Sequence, residues 1–266
     1  MEKKYTYNLH THTYRCRHAF GDVDAYVYRA RKAGLTLVGI SDHCPLPTDW
    51  WKPIRMSLDE FPGYVKAINE AKHMFDDVTV LAGIECELFQ EFYSFYDELK
   101  EQYSLDYLVG SPHGFIDDEG KHTIYERNMT AMDLRSYADE AVFAMESKKY
   151  DILAHPDLYM DHVVGWNKDT EACAREIINA AIKTGQVLEL NTSGYDKKAG
   201  YPNREFWTMA CEAGVKLIMD SDAHYPDKIT ANFDLGVDLV NSIEAETGKH
   251  FQIVTPIVEN GKLIFK

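Results

Sequence analysis

Seven of the eleven histidines in this 266-residue chain stand at or just after the ends of short apolar runs, several with a carboxylate beside them. In chain order the clusters read His10-Thr11-His12 followed by His18, then Ser41-Asp42-His43, Glu85-Cys86-Glu87 and Ser111-Pro112-His113, and finally His155-Pro156-Asp157 and Asp220-Ser221-Asp222-Ala223-His224. Neutral imidazole is a good ligand for zinc, iron and related metals, and a carboxylate can bridge two ions. The seven imidazoles with Glu85 and Asp222 give nine candidate ligands, more than one tetrahedral ion accepts, so the set points to two or three divalent cations. His10 and His12 are alternate residues of an extended segment and so face one ion together. Asp42 is placed to orient an imidazole from behind; Asp220 could do the same, and reads more simply as a solvated strand-end carboxylate. A single histidine after a strand is most simply a core or surface residue. Recurrence at six strand ends is what carries the metal reading.

The elements that must present these residues alternate in type. Strand-like apolar runs cover residues 5–9, 37–40, 78–84, 105–110, 151–154, 187–190 and 216–219. They are short and bounded by polar residues, as buried parallel strands are. Between them, helix-like stretches cover residues 22–32, 57–75, 94–103, 130–149, 169–183 and 203–212, with Gly34, Gly185 and Gly214 placed as stops. Alternation of this kind implies an α/β fold with parallel strands and right-handed crossovers. Seven strands in this alternation suggest a closed or nearly closed barrel, read as one domain over residues 1–266, with its site at the C-terminal ends of the strands.

Composition narrows the partners. The formal net charge is −15, which opposes the clustered Lys and Arg that binding to a long nucleic acid needs, and suits a small substrate held at a local metal centre. No apolar run approaches the roughly 18 residues of a membrane span. Residues 1–7 lack the apolar core of a signal peptide, so a cytoplasmic protein is expected. The five cysteines are scattered rather than paired as in a zinc ribbon or a disulfide framework, and read as small buried side chains.

At His10-Thr11-His12, Ser41-Asp42-His43, His155-Pro156 and Asp222-Ala223-His224, with Glu85 and His113 between them, the chain resembles the PHP (polymerase and histidinol phosphatase) superfamily. It looks most like the monofunctional histidinol-phosphatase branch. That likeness rests on His18 following a cysteine, the run Asp42-His43-Cys44-Pro45-Leu46-Pro47, and Arg55-Met56. Asp106-Tyr107-Leu108-Val109-Gly110-Ser111-Pro112-His113 and Asn191-Thr192-Ser193-Gly194 add to it.

The resemblance implies a distorted seven-stranded β/α barrel with a trinuclear centre. By position, His10, His12, Glu85 and Asp222 would hold one metal. Glu85 would bridge to a second with His113 and His155, and His18, His43 and His224 would hold the third. Zinc, manganese and iron are all compatible. The implied reaction is hydrolysis of L-histidinol phosphate to L-histidinol and phosphate by a metal-bound hydroxide. Glu85, Asp222, Asp42 and Asp157 are then the candidate catalytic carboxylates. Asp157, His122 and a bound water are candidates for protonating the leaving alkoxide.

Relatives of this branch carry arginines after the His-Pro-Asp and Asn-Thr-Ser-Gly segments, where this chain has Leu158-Tyr159-Met160-Asp161-His162 and Tyr195-Asp196-Lys197-Lys198. Lys197, Lys198, Arg15 and Arg17 are the candidates to bind the phosphate in their place, although lysine cannot reproduce a bidentate clamp. Two other readings compete. One is a phosphodiesterase or nuclease acting on nucleotide or oligonucleotide substrates, which the charge disfavours. The other is a non-catalytic metal-binding module, which the complete ligand set disfavours.

Overall fold

Single side chains set where the helices begin. Asp22 accepts a hydrogen bond from the backbone N–H of Val23, Thr130 from Asp133, Asn167 from Asp169 and Thr170, and Asn203 from Phe206. Each satisfies a donor that the first helical turn leaves unpaired. The helices that follow are α1 (Val23–Ala33), α4 (Ala131–Ser147), α5 (Lys168–Thr184) and α7 (Arg204–Ala213). The remaining four are α2 (Phe61–Met74), α3 (Tyr93–Tyr103), α6 (Ser193–Lys197) and α8 (Phe233–Thr247). As expected, α1, α5 and α7 end at Gly34, Gly185 and Gly214. The structure is a computed structural model and describes residues 5–266; residues 1–4, part of the leader reading, lie outside the described residues. Among the described residues no helix is long and apolar enough to cross a membrane.

The strands run β1 (Tyr7–Asn8), β2 (Leu37–Ile40), β3 (Thr79–Ala82), β4 (Glu85–Glu87), β5 (Val109–Ser111), β6 (Gly114–Asp117) and β7 (Gly120–Thr123). They continue with β8 (Ile152–Leu153), β9 (Val187–Asn191), β10 (Lys216–Asp220), β11 (Gln252–Ile253), β12 (Pro256–Glu259) and β13 (Lys262–Phe265). Parallel pairing gives a three-stranded sheet, β1-β2-β3, and a six-stranded sheet, β11-β10-β9-β8-β5-β4. The two sheets meet at isolated parallel bridges, Thr11 with Ala223 and His43 with Glu85. Both bridges lie beside the histidines singled out above. β6 with β7 and β12 with β13 form antiparallel hairpins.

Two apolar clusters hold this arrangement. The larger packs helices against strands. The smaller takes Tyr7, Leu37, Leu81, Val109, Ile152, Val187 and Ile218, one residue from each of seven parallel strands. Tyr107 joins it, and its hydroxyl donates to the Leu9 carbonyl at 2.6 Å, fixing the backbone just before His10. A Cβ at Gly39 or Gly83 would collide with the Tyr107 ring, so both positions must be glycine for that ring to lie there.

The structure departs from the sequence reading in three places. The run 78–84 continues as two strands, β3 and β4, with Gly83 and Ile84 between them. Residues 105–108 are not strand, because Leu105 N–H closes the end of α3 on the Lys100 carbonyl and Leu108 N–H bonds the Asp151 carboxylate. The β6–β7 hairpin, α6, α8 and the C-terminal strands carried no reading at all.

Candidate metal centre

The strand ends converge on one carboxylate. Glu85, on β4, is 2% exposed and has five imidazoles around it. His43 Nδ1 is 2.6 Å from Oε2 and His12 Nε2 is 3.5 Å from it. His10 Nε2 lies 3.3 Å, His155 Nε2 3.5 Å and His113 Nε2 3.6 Å from Oε1. Asp222 Oδ1 is 3.0 Å from His12 Nε2 and 3.7 Å from His10 Nε2. The remaining two rings sit alongside: His224 stacks on His12 with centroids 4.2 Å apart, and His18 lies 4.7 Å from His224.

His10 Nε2, His12 Nε2 and Glu85 Oε2 are buried and make no well-formed hydrogen bond. Buried polar atoms in that state cost free energy unless something else satisfies them. Ligand atoms of His10, His12 and Glu85 lie within 4.8 Å of one another, as do those of His43, Glu85 and His113, and those of His12, His43 and His224. Orphaned donor atoms at mutual ligand distance are what a divalent-cation site requires. The electrostatics agree. Burial opposes charge on Glu85, but His43, His10 and His113 together outweigh it and hold the carboxyl well below its usual range.

The ligands are themselves held from behind. Asp42 is fully buried, accepts from Thr13 N–H and Oγ1 and from His43 N–H, and puts Oδ1 3.5 Å from His12 Nδ1. It orients a ring and does not line the cavity described below, so its place is behind the site and not among the reacting groups. Glu87 accepts from Arg55 at 2.9 Å and faces His113 Nδ1 at 3.3 Å. Cys16 is one of five buried cysteines, and its thiol also falls at ligand distance from His18 and His224.

Glu189, on β9, escaped the sequence reading. Its carboxylate lies 2.7 Å from His10 Nδ1 and accepts from His155 N–H at 3.0 Å and from Asn191 Nδ2 at 2.9 Å. The signal was a single acid inside the apolar run Leu188-Glu189-Leu190. Because it fixes one ring and the backbone of a second, Glu189→Gln should weaken metal affinity about 10- to 100-fold while excess metal restores the bound state. A metal-binding isotherm indistinguishable from that of the unsubstituted protein would contradict this.

Several expectations need correction. Asp220 is not solvated: it is fully buried, accepts from Leu9 N–H at 2.6 Å, and is pushed up to about 8 by burial and then by Glu189. Asp157 is also buried, and turns away to accept from Asn203 N–H at 2.6 Å and Trp207 Nε1 at 3.0 Å, which anchors the start of α7. His122 bonds Asp117 within its own hairpin at 2.9 Å. Arg15 pairs with Asp22 and Arg17 with Glu60, so neither guanidinium is free for a substrate at the metals. Lys198 caps the end of α6 and is exposed.

Of the four cations offered for the phosphate, Lys197 reaches the site. A cavity of about 400 Å³ opens above Glu85 and Asp222, walled by Lys197, Tyr201, Ser193 and Tyr125. Lys197 Nζ lies 3.8 Å from Asp222 Oδ2 and 3.2 Å from the Tyr201 hydroxyl.

A family model for the PHP domain matches residues 8–193, more than half of the chain, and so spans the motifs from His10 to Ser193. The chain belongs to the PHP domain family. The resemblance drawn from the motifs is thereby borne out. A "probable histidinol-phosphatase" of Deinococcus radiodurans is 27% identical over 246 residues, covering 90% of this chain and 94% of that one. A "probable phosphatase" of Clostridium acetobutylicum is 25% identical, covering 91% of this chain and 87% of that one. Among solved structures, histidinol phosphate phosphatase of Lactococcus lactis, complexed with zinc, L-histidinol and phosphate, superposes with a TM-score of 0.72. At 17% identity, over 97% of this chain and 98% of that one, the superposition establishes a shared α/β fold.

Proposed function

We propose that this PHP-family chain is a metal-dependent phosphomonoesterase and that L-histidinol phosphate is its substrate, which would place it in cytoplasmic histidine biosynthesis. The observation that carries the reading is the buried Glu85 carboxylate facing imidazoles from five separate positions of the chain. The names of the relatives, and the ligands of the Lactococcus lactis enzyme, support the choice of substrate.

In this reading the whole chain, residues 1–266, is one distorted seven-stranded barrel. Support comes from the seven strands that share one apolar cluster and from the bridges that join the two sheets. Two or three zinc, manganese or iron ions would occupy the site. His10, His12, Glu85 and Asp222 would hold the first, Glu85, His113 and His155 the second, and His18, His43 and His224 the third. The cations, when bound, supply a Lewis acid for the phosphoryl oxygens and a nucleophile at neutral pH.

The protein's own groups do the rest. Lys197 offers its ammonium to a phosphate oxygen at the cavity wall, in the place where a branch relative carries arginine. Glu189, Asp42 and Glu87 keep the imidazoles aimed, so little reorganisation remains when substrate arrives. Phosphate release from L-histidinol phosphate, other phosphomonoesters and a short oligonucleotide tests this, with kcat/KM as the criterion. L-histidinol phosphate should be preferred by about 100-fold or more, since a site built to pair polar groups strongly rejects analogues that leave them unpaired. Flat activity across monoesters would overturn the substrate, and preference for the oligonucleotide would overturn the phosphomonoesterase itself.

A further inference from the structure

An alkyl alcohol leaves phosphorus as a poor alkoxide and needs a proton as the bond breaks. The two side chains expected to supply it do not line the cavity: Asp157 accepts from Asn203 and Trp207, and His122 bonds Asp117. Tyr201 faces into it. It is 4% exposed, and its hydroxyl has two neighbours: Lys197 Nζ at 3.2 Å and Ser193 Oγ at 3.3 Å.

The polarity of these bonds fixes where the phenolic hydrogen can go. An ammonium only donates, so the Tyr201 oxygen accepts from Lys197 and its own hydrogen must point elsewhere. Ser193 Oγ lies 2.8 Å from Asn191 Oδ1 and 3.1 Å from Asp222 Oδ2, two acceptors that engage the single serine hydrogen. Its oxygen is left as a long, weak acceptor for Tyr201, readily exchanged for a better one. Tyr201 therefore carries a proton at the wall of the cavity, with a cation behind the oxygen that would lose it.

We propose that Tyr201 is the general acid of the reaction, donating its phenolic proton to the leaving alkoxide oxygen. The inference rests on the phosphomonoesterase reading. As the new P–O bond to the water oxygen forms, the ester P–O bond breaks and the Tyr201 O–H proton passes to the departing oxygen, giving the neutral alcohol. The phenolate that remains is stabilised by the adjacent Lys197 ammonium. The proton given up by the attacking water restores it through solvent, so the enzyme returns to its starting state.

The test is the dependence on leaving group. Tyr201→Phe keeps the ring and removes only the proton donor. Metal-loaded unsubstituted and variant proteins are compared on L-histidinol phosphate, whose alkoxide needs a proton, and on p-nitrophenyl phosphate, whose phenolate does not. The variant should lose about 100-fold in kcat on the alkyl ester and no more than about threefold on the aryl ester, the range expected for one general acid. Metal content and inhibition by inorganic phosphate should stay as in the unsubstituted protein, which separates this role from a structural one. Equal losses on the two esters, or no loss on either, overturn the proposal. Should Tyr201→Phe fail to fold, Lys197→Met, which removes the phosphate contact from both esters alike, must still lower kcat more on the alkyl ester than on the aryl ester, and equal losses overturn it. An unsubstituted protein that hydrolyses neither ester overturns the phosphomonoesterase reading, and the role of Tyr201 with it.

Discussion

Replacing Glu85 with glutamine is expected to strip metal from the site and to slow phosphate release by about 1000-fold or more, the several kcal/mol that a Lewis-acid metal contributes. Glutamine has nearly the same volume and presents one carbonyl oxygen in place of two charged ones, so packing survives while bridging does not. Five imidazoles lie within 3.6 Å of the Glu85 carboxylate, so its charge is the one they share. Metal content and phosphate release of the purified variant check the claim together. Wild-type values for both would show that Glu85 is not a bridging ligand.

Chelation should destabilise the fold as well as silence it. Asp42, Glu85, Glu87, Glu189, Asp220 and Asp222 are all buried around the strand ends. The nearby fixed cations are Arg55, already engaged by Glu87, Arg15, already engaged by Asp22, and Lys197 at the rim. Without metal, compensation falls to the imidazoles. Burial opposes charge on His10, but Glu189, Asp222 and Glu85 outweigh it and hold its pKa well above the usual value. Metal binding must displace such protons, because only neutral imidazole is a ligand. A site saturated about 1000-fold over its Kd adds roughly 4 kcal/mol, so removing the ions should lower Tm by on the order of 10 °C. Thermal melting of metal-loaded and chelated samples reads this directly, and proton release on re-adding metal is the companion signal. Superimposable melting curves would contradict it.

What could be read in advance depended on which residues speak through local pattern. The histidines after β1, β2, β5 and β8 and the Asp222–His224 pair after β10 follow apolar runs, and strand geometry alone sends them to one end of the sheet. Glu189 was missed because it lies inside such a run, where only its partner, His10, 179 positions earlier, gives it meaning. Asp220 was misjudged for the converse reason. A strand-end acid is usually solvated, and nothing local shows that Leu9 N–H arrives to bind it. Asp157 and Arg15 went to Trp207 and Asp22 instead of the cavity, choices set by how α7 and α1 pack. Tyr201 could not be singled out at all, because its significance lies in the bonds to Lys197 and Ser193 and not in its own type. The unread α8 begins at Asn232 without a side-chain cap, so it lacks the local start signal that α1, α4, α5 and α7 carry.

The central claim is that the Glu85 cluster binds divalent cations and that hydrolysis depends on them. The most direct measurement is a titration of fully chelated protein with zinc or manganese, following bound metal and phosphate release from L-histidinol phosphate in the same sample. The account predicts no turnover without metal, activity that rises with occupancy, and saturation at two or three ions per chain. Turnover by the metal-free protein, or rates that ignore occupancy, would contradict it.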